Sequence, residues 1–307
     1  MKVPLVAAKL KLDNATAAIL MLVVLSVGWG STWPIMKIAL LEIPPLSMRM
    51  ATAGVGAATL FAIAGLSRRG LFIARGRARL HIVVASVFNV VGFSLFTAFA
   101  QLTAATSRVT ILAYTMPIWT ALLARFILGE RFTVNRSISL VLCVGGLAVL
   151  VYPLADHGIP GGLLLAIGAG VSWAVGTVYQ KWARINGDPV GVAAWQVGVG
   201  FLIVATCVLI FEGTPHLWPV SWWAVFGVVF TGSVGSGIAY LLWFEVVRRL
   251  PAMTASLGVL SVPVIGVFAS MAILGERPTV ADAIGFLLIF AAAACVLIQP
   301  RQVIPAS

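Results

Sequence analysis

Long apolar stretches separated by short polar breaks run through most of the chain. Each stretch approaches the roughly 20 apolar residues that a helix needs to cross a bilayer. The ten predicted spans cover 15–36, 45–66, 81–101, 108–128, 137–154, 160–181, 190–211, 220–243, 253–274 and 280–298. Helices satisfy their own backbone hydrogen bonds in lipid, so the pattern predicts an all-α polytopic membrane protein with ten transmembrane helices.

Composition supports the same class. Of the 307 residues, 61% are hydrophobic and 9% are charged, and the mean hydropathy is +1.08. A soluble protein is about 25% charged, so this chain has too few charges to face water on all sides. The first span continues into "WGSTWPIMK" without a cleavage site, which predicts a retained helix rather than a signal peptide. The three cysteines fall inside predicted spans and suggest no metal site.

The basic residues predict how the chain is oriented. With ten spans, 16 of the 20 Lys and Arg residues lie on the side that holds the N-terminus. Positive loops face the cytoplasm, so both termini are predicted to be cytoplasmic. The net charge of +11 is therefore interpreted as a topological signal and not as a nucleic-acid site, and "SRRGLFIARGRAR" (67–79) as a membrane anchor.

An internal repeat divides the chain. "LGERFTV" (128–134) returns as "LGERPTV" (274–280), and "WGSTWPIMK" (29–37) is paralleled by "WAVGTVYQK" (173–181). These offsets of 146 and 144 predict two five-helix halves, 1–153 and 154–307. Because five is odd, the second half must enter the membrane from the opposite face. Inverted repeats are characteristic of secondary transporters with a central substrate site, although some channels also have them.

Within the repeated phrase, local helix chemistry is the main interpretation. Gly129 and Gly275 are predicted to end a helix, and Thr133 or Thr279 to cap the next one. Glu130 and Glu276 are predicted to interact with backbone donors of the following helix rather than to move protons.

The duplicated P-x(10)-LGE-x-x-T pattern carries a family resemblance. It comprises Pro117 with Gly129 and Glu130, and Pro263 with Gly275 and Glu276. It resembles the drug/metabolite transporter superfamily, specifically its ten-helix EamA-type exporters, over roughly residues 15–298. The whole chain is most similar to the bacterial aromatic amino-acid exporters of that family. The resemblance implies a bacterial inner (plasma) membrane protein that exports amino acids or other metabolites, with drugs among the alternatives.

Charges inside the predicted spans are scarce. Every Asp and Glu falls at a span end or in a loop, so no carboxylate is placed to carry protons, and facilitated movement down a gradient is the simpler hypothesis. Arg49 lies a few residues inside the second span. Three interpretations stay open: it snorkels to the interface, pairs with Glu42, or receives a substrate carboxylate.

A cavity with aromatic walls and a few hydrogen-bonding groups suits a flat, largely apolar solute. The candidate substrate-binding residues are Trp33, Asn89, Ser94, Tyr114, Trp173, Tyr179, Tyr240, Trp243 and Ser261. Trp and Tyr also form interfacial belts, which is the competing interpretation. The candidate kink or gating residues are Pro34, Pro117, Pro263 and Gly235, where close helix packing competes with a hinge.

The residues argue against other classes. No H-E-x-x-H pattern and no Asp at membrane depth is present to support an intramembrane enzyme, so no catalytic residue, metal or cofactor is predicted. A channel remains a rival to a carrier, and an exporter of cationic drugs would favour a buried carboxylate. The predicted partners are a small-molecule substrate and the lipid bilayer. The oligomeric state stays open, with a monomer among the options.

Overall fold

The structure, a computed structural model, describes residues 14–73, 76–103, 109, 112–152, 161–185, 187–274 and 280–297. Helices account for the regular structure in these ranges, and no strand occurs in them. In the first half they are α1 (Asn14–Leu40), α2 (Pro45–Leu66), α3 (Arg77–Ser86), the π-helical segment π1 (Val87–Gly92), α4 (Phe93–Thr103), α5 (Met116–Ile127) and α6 (Val134–Val151). In the second half they are α7 (Gly161–Ala183), α8 (Pro189–Phe211), α9 (Trp222–Phe230), the π-helical segment π2 (Thr231–Ile238), α10 (Ala239–Arg249), α11 (Ala252–Gly258), α12 (Ser261–Leu274) and α13 (Val280–Leu297).

Continuous elements join into ten helical rods within the described ranges, in the order that the apolar runs predict. Six rods are long and apolar enough to cross a membrane, and shorter apolar helices accompany them. The third rod begins at Arg77 rather than 81, and the eighth continues to Arg249 rather than ending at 243. Arginine favours helices and extends its charge toward water, so a helix continues beyond its apolar run.

The third and fourth rods of each half share the same irregularities. π1 and π2 lie at the centres of the third and eighth rods. The fourth rod turns at Tyr114–Thr115 before α5, and the ninth turns at Val259–Leu260 between α11 and α12. The turns are 145 residues apart and the π segments 144, close to the sequence repeat. Both halves therefore repeat their deviations from the α-helix as well as their order of helices.

Contacts between equivalent helices show that the two halves run in opposite directions. At one end of α2, Leu46 and Ser47 donate backbone N–H bonds of 2.9 and 2.8 Å to the carboxylate of Glu212, which follows α8. At the other end, Arg69 pairs at 3.5 Å with Asp188, the N-cap of α8. Each of these helices begins where the other ends, so α2 and α8 are antiparallel.

The pair α6 and α13 gives the same result. Ser139 donates to the carbonyl of Ala292, and Cys295 Sγ lies 3.6 Å from the carbonyl oxygen of Asn135. Gly146, further along α6, packs against the carbonyl of Gly285. In these contacts the residue number increases along α6 and decreases along α13, so the two helices are antiparallel. The inverted relation that the odd helix count predicts is therefore visible in the side-chain contacts.

The two ends of the bundle differ in charge. We call the end where α2 finishes and α8 begins the basic end, since Arg68, Arg69, Arg248 and Arg249 lie there. The other is the far end, where the exposed Glu42 accepts bonds from the hydroxyl and backbone N–H of Ser221. The hydroxyl bond, with the backbone bond second, lowers the pKa of Glu42.

The repeated phrase makes a joint at the basic end. Gly129 adopts a φ of +66° after α5, and Thr133 accepts from Arg136 N–H to cap α6, both as predicted. Glu130, however, bonds the backbone N–H groups of Ala252 and Met253 at 2.7 and 3.2 Å. It therefore caps α11 of the other half and not the helix that follows it. Sequence proximity suggested the wrong donors, because the sequence does not reveal that a helix of the other half begins beside Glu130.

Two parts of the sequence interpretation lie outside the described residues. The predicted boundary between 153 and 154 is one. The second copy of the phrase, with Gly275, Glu276 and Thr279, is the other. The three cysteines lie in α6, α8 and α13, as predicted.

Candidate functional site: a central aromatic cavity

A cavity of about 90 Å³ lies where the two halves meet. Its walls come from α1 and α2, from the segments around π1 and π2, from the turn before α5, and from α7 and α8. Its aromatic walls are Trp29, Trp33, Phe93, Tyr114, Trp173 and Tyr240. Its polar walls are Thr32, Arg49, Thr52, Ser94, Thr231 and Ser236. It reaches from the middle of the bundle toward the far end. Met36, near the C-terminal end of α1, and Arg49, near the N-terminal end of α2, line it there.

The size of the cavity limits what fits in this conformation. The volume is several times the roughly 10–15 Å³ that a cavity needs to hold one water molecule, so the space holds a few waters. A small solute with a similar number of heavy atoms fits, and a larger guest requires the walls to move apart.

Packed rings close the cavity toward the basic end. The rings of Trp29 and Trp173 meet edge to face with centroids 5.3 Å apart, and Tyr240 lies 5.9 Å from Trp29 and 5.6 Å from Trp173. Behind them, the fully buried Trp243 lies 5.7 Å from Trp173. Edge-to-face contacts of this kind are favourable beyond the area they bury. These four rings, which we call the aromatic plug, separate the cavity from the basic end.

A wide pocket lies on the other side of the aromatic plug. It measures about 830 Å³ and includes Gln180, Lys181, Phe244 and Glu130 in its walls. Four residues of α10 separate Tyr240 in the cavity from Phe244 in the pocket, which is about 6 Å at 1.5 Å per residue. The cavity and the pocket are therefore close neighbours, separated by the aromatic plug.

The π-helical segments place carbonyl groups where the plug can use them. A π-helical turn disrupts the i to i−4 ladder and leaves backbone groups free for other partners. Trp29 Nε1 donates to the carbonyl of Gly235 in π2 at 3.0 Å. Tyr240 Oη donates to the carbonyl of Asn89 in π1 at 3.2 Å. The irregular centres of the third and eighth rods thus hold the rings of the plug in place.

The structure brings five of the nine candidate substrate-binding residues to the cavity wall. They are Trp33, Ser94, Tyr114, Trp173 and Tyr240. Trp243 stands behind the wall, and Ser261 donates to Ser26 at 2.8 Å. Tyr179 lies near the basic end, where its hydroxyl is 2.6 Å from His81 Nδ1. Asn89 is fully buried, and its amide atoms have no hydrogen-bond partner in the described part of the chain.

The candidate kink residues occupy different settings. Pro34 lies inside the continuous helix α1, whereas Pro117 opens α5 immediately after a turn and Pro263 stands near the start of α12. Gly235 lies within π2, and a Cβ there would meet Thr32 Cγ2 at 3.1 Å. The glycine therefore permits both the π turn and the close approach of α1.

Several wall residues were absent from the sequence-based candidates, namely Trp29, Thr52, Thr231 and Ser236. Trp29 could have been found, because it stands 144 residues before Trp173, a candidate in the equivalent position. Arg49 also lines the wall. Its suggested pairing with Glu42 is wrong, since Glu42 bonds Ser221 and the described residues contain no Arg49–Glu42 ion pair.

Comparisons with known proteins agree with this architecture. The model of the EamA-like transporter family matches residues 16–152 and 160–298. The chain belongs to this family. It is 28% identical to the transporter YoaV of Bacillus subtilis (strain 168) over 85% of this chain and 90% of YoaV. A probable amino-acid metabolite efflux pump of Escherichia coli (strain K12) is 22% identical over 86% of this chain and 89% of its own. A solved crystal structure aligns with a TM-score of 0.73 at 25% identity, covering 91% of this chain and 95% of that one.

This EamA-like protein is therefore a multi-pass membrane transporter and not an enzyme. The two matched segments repeat the family domain once in each half of the chain. The cavity between the halves is the place where the inverted arrangement of such transporters locates a substrate site.

Proposed function

We propose that this EamA-like protein exports small neutral and aromatic amino acids by alternating access through the central cavity. One observation carries the proposal: a cavity at the junction of two antiparallel halves is walled by aromatic rings and hydroxyl groups. Rings offer edge and face contacts to a flat guest, and a few hydroxyls orient its polar end. Two relatives named "probable amino-acid metabolite efflux pump" support the substrate class.

The way in which the cavity is closed supports alternating access. The aromatic plug seals it toward the basic end, while its polar wall continues toward the far end at Arg49 and Thr52. The closed barrier is thin, because the basic-end pocket begins one helical turn beyond Tyr240. Separating the plug would join the two spaces, and closing the far end would complete the exchange.

The proposed direction depends on the charge asymmetry. The basic end carries the arginines at the ends of α2 and α10, so it faces the cytoplasm of a bacterial inner membrane under the positive-inside rule. Impermeant thiol labelling tests this in a background without native cysteines. On intact cells, Cys introduced at His216 reacts and Cys introduced at Arg69 does not; the reverse pattern refutes the orientation.

The cavity wall suggests facilitated movement rather than proton coupling. No Asp, Glu or His lines it in the described part of the chain. A buried carboxylate or imidazole is the usual carrier of a coupled proton in a membrane. Efflux of labelled substrate is therefore expected to remain unchanged when a pH gradient is imposed, and substrate-driven alkalinisation would refute this part.

Proteoliposomes provide the decisive test. Efflux of labelled Phe, Trp, Thr and Lys is compared, and the expected order places Phe and Trp above Lys, with saturation. Equal rates for all four would favour a broad metabolite exporter, and a flux that does not saturate would favour a channel. Trp173→Ala opens the plug and is expected to lower efflux, whereas Trp222→Ala, at a ring that is 75% exposed, serves as the matched control.

A further inference from the structure

Arg49 lies in the wall of the cavity, and its guanidinium group makes few hydrogen bonds. Its Nη2 donates to Thr97 Oγ1 at 3.2 Å, and its Nε is buried without a hydrogen-bond partner in the described residues. A guanidinium has five N–H donors in a planar fork that matches a carboxylate. The bond to Thr97 occupies one of them.

The acidic groups nearest in sequence are engaged elsewhere. Glu212 accepts from the backbone N–H groups of Leu46 and Ser47, and Glu42 accepts from Ser221. Among the described residues, no carboxylate lies within 4.0 Å of the Arg49 guanidinium. An unpaired charge inside a membrane protein is costly, so such residues pair with one another or face a water-filled pathway. Arg49 therefore lacks an internal anion and faces the space that a solute enters.

The second half shows that the fold does not require this cation. α2 and α8 both begin with Pro, at positions 45 and 189, and both contain the glycine that packs on a π segment, Gly56 and Gly200. In that register the counterpart of Arg49 is Ala193, which is fully buried. The same helix is built in the other half without a charge, so a role in helix packing does not account for Arg49.

We propose that Arg49 binds the carboxylate of the transported solute and selects carboxylate-bearing aromatic solutes over their amines. The proposal rests on the function proposed above. The carboxylate meets Arg49 on the far-end side, and the apolar part of the solute lies toward Trp29, Trp173 and Tyr240. Since no acidic side chain lines the described wall, the ammonium group of an amino acid has no matching anion. The carboxylate, and not the amine, is the charge that is recognised.

Analogues test this in the unmodified protein. Inhibition of labelled Phe exchange in proteoliposomes is measured with 3-phenylpropionate, which lacks the amine, and with phenethylamine, which lacks the carboxylate. We expect 3-phenylpropionate to compete about as well as Phe, and phenethylamine to be weaker by about 10- to 100-fold, the range of one charge-assisted hydrogen bond. Equal competition by the two analogues, or stronger competition by phenethylamine, would overturn the proposal.

Variants assign the selection to one residue. Arg49→Gln removes the charge, Arg49→Lys retains it without the fork, and Arg77→Gln removes an exposed arginine at the start of α3 as the matched control. The ratio of phenethylamine to 3-phenylpropionate inhibition constants should fall toward one in Arg49→Gln and keep part of its value in Arg49→Lys. It should stay unchanged in Arg77→Gln. An unchanged ratio in Arg49→Gln would overturn the proposal while leaving amino-acid export intact.

A second readout separates the two proposals. If the unmodified protein moves no Phe, the proposed function fails, and thermal stabilisation of the purified protein then tests Arg49 directly. Stabilisation by 3-phenylpropionate but not by its amide, lost in Arg49→Gln, supports a carboxylate site. Equal stabilisation by acid and amide overturns it. Should Arg49→Gln not fold, the analogue comparison in the unmodified protein and in Arg49→Lys still decides.

Discussion

α2 packs closely against π2 because Gly56 has no side chain. A Cβ at Gly56 would lie 2.6 Å from Ser236 Cβ, 2.8 Å from its carbonyl carbon and 2.9 Å from its carbonyl oxygen. These neighbours are backbone or adjoin it, so they cannot rotate away. On the same helix, a Cβ at Gly65 would meet nothing within 4 Å. Gly56→Ala and Gly65→Ala therefore add the same methyl group to one helix in two different environments.

The expected energies follow from these distances. Carbon atoms pack best at about 3.5–4.0 Å, so Gly56→Ala forces the helices apart by about 1 Å. Overpacking of this kind costs about 1–3 kcal/mol. Replacing Gly by Ala within a helix contributes about 0.5–1 kcal/mol of stability at both sites. The free energy of unfolding should therefore differ between the variants by about 1–3 kcal/mol, with Gly65→Ala the more stable.

A thiol-reactive fluorophore can follow unfolding in detergent, because Cys143 is fully buried in the folded protein. The difference should appear as a Tm about 2–6 °C lower for Gly56→Ala than for Gly65→Ala. Gly200, whose added Cβ would lie 2.8 Å from Val90 Cβ, is the equivalent site in the other half and should behave like Gly56. Equal Tm values for Gly56→Ala and Gly65→Ala would refute the close contact between α2 and π2.

Two further predictions concern single hydrogen bonds. Trp29→Phe removes the 3.0 Å bond to Gly235, whereas the indole N–H that Trp173→Phe removes has no partner among the described residues. The free energy of unfolding should therefore fall by about 1 kcal/mol more in Trp29→Phe than in Trp173→Phe. Thermal unfolding measures the difference, and equal losses of stability would contradict the prediction. Glu130→Gln weakens the charged cap of α11 and should lower the free energy of unfolding by about 1–2 kcal/mol. The same assay measures this change, and an unchanged Tm would show that the cap does not stabilise the fold.

The order and inversion of the helices could be predicted from the sequence because both are recorded locally. Each span is a run of apolar residues, and the repeated phrase at 128–134 fixes the pairing of the halves without any knowledge of contacts. The cap at Thr133 was predictable for the same reason, since its partner Arg136 is three residues away. Features that depend on a neighbour four or fewer residues away are visible in the chain itself.

The irregular segments could not be predicted in this way. A π turn adds one residue to a helical turn and leaves the apolar composition unchanged, so π1 in "VFNVVG" has no distinct pattern. The glycines of "TGSVGSGI" in π2 indicated close packing or bending, but not which carbonyls would be released. The partner of Glu130 was missed because it lies 122 residues away in the other half. These features depend on distances between helices.

The aromatic character of the cavity was predictable from residue type, but the set of residues that line it was predicted only in part. Trp173 and Tyr240 were candidates, whereas Trp29 was not, although it forms the centre of the aromatic plug with rings on three sides. Tyr179 shares the aromatic chemistry of the true wall residues, but six residues of α7 separate it from Trp173. That interval, about 9 Å along the helix, places its ring at the basic end. Residue type indicated the class of site, and the depth of each residue along its helix determined whether it lines the cavity.

The plug also bears on the choice between a carrier and a channel. If both halves had the same conformation, an inverted two-fold relation would make the two ends of the bundle alike, both open or both closed. The structure is unsymmetrical at equivalent positions instead. Trp29 Nε1 donates to the carbonyl of Gly235, whereas Nε1 of Trp173, its counterpart, has no hydrogen-bond partner among the described residues. Under the alternating access that we propose, exchanging this contact between the halves would move the closure to the other end of the cavity. A carrier needs that exchange, whereas an open channel gains nothing from it.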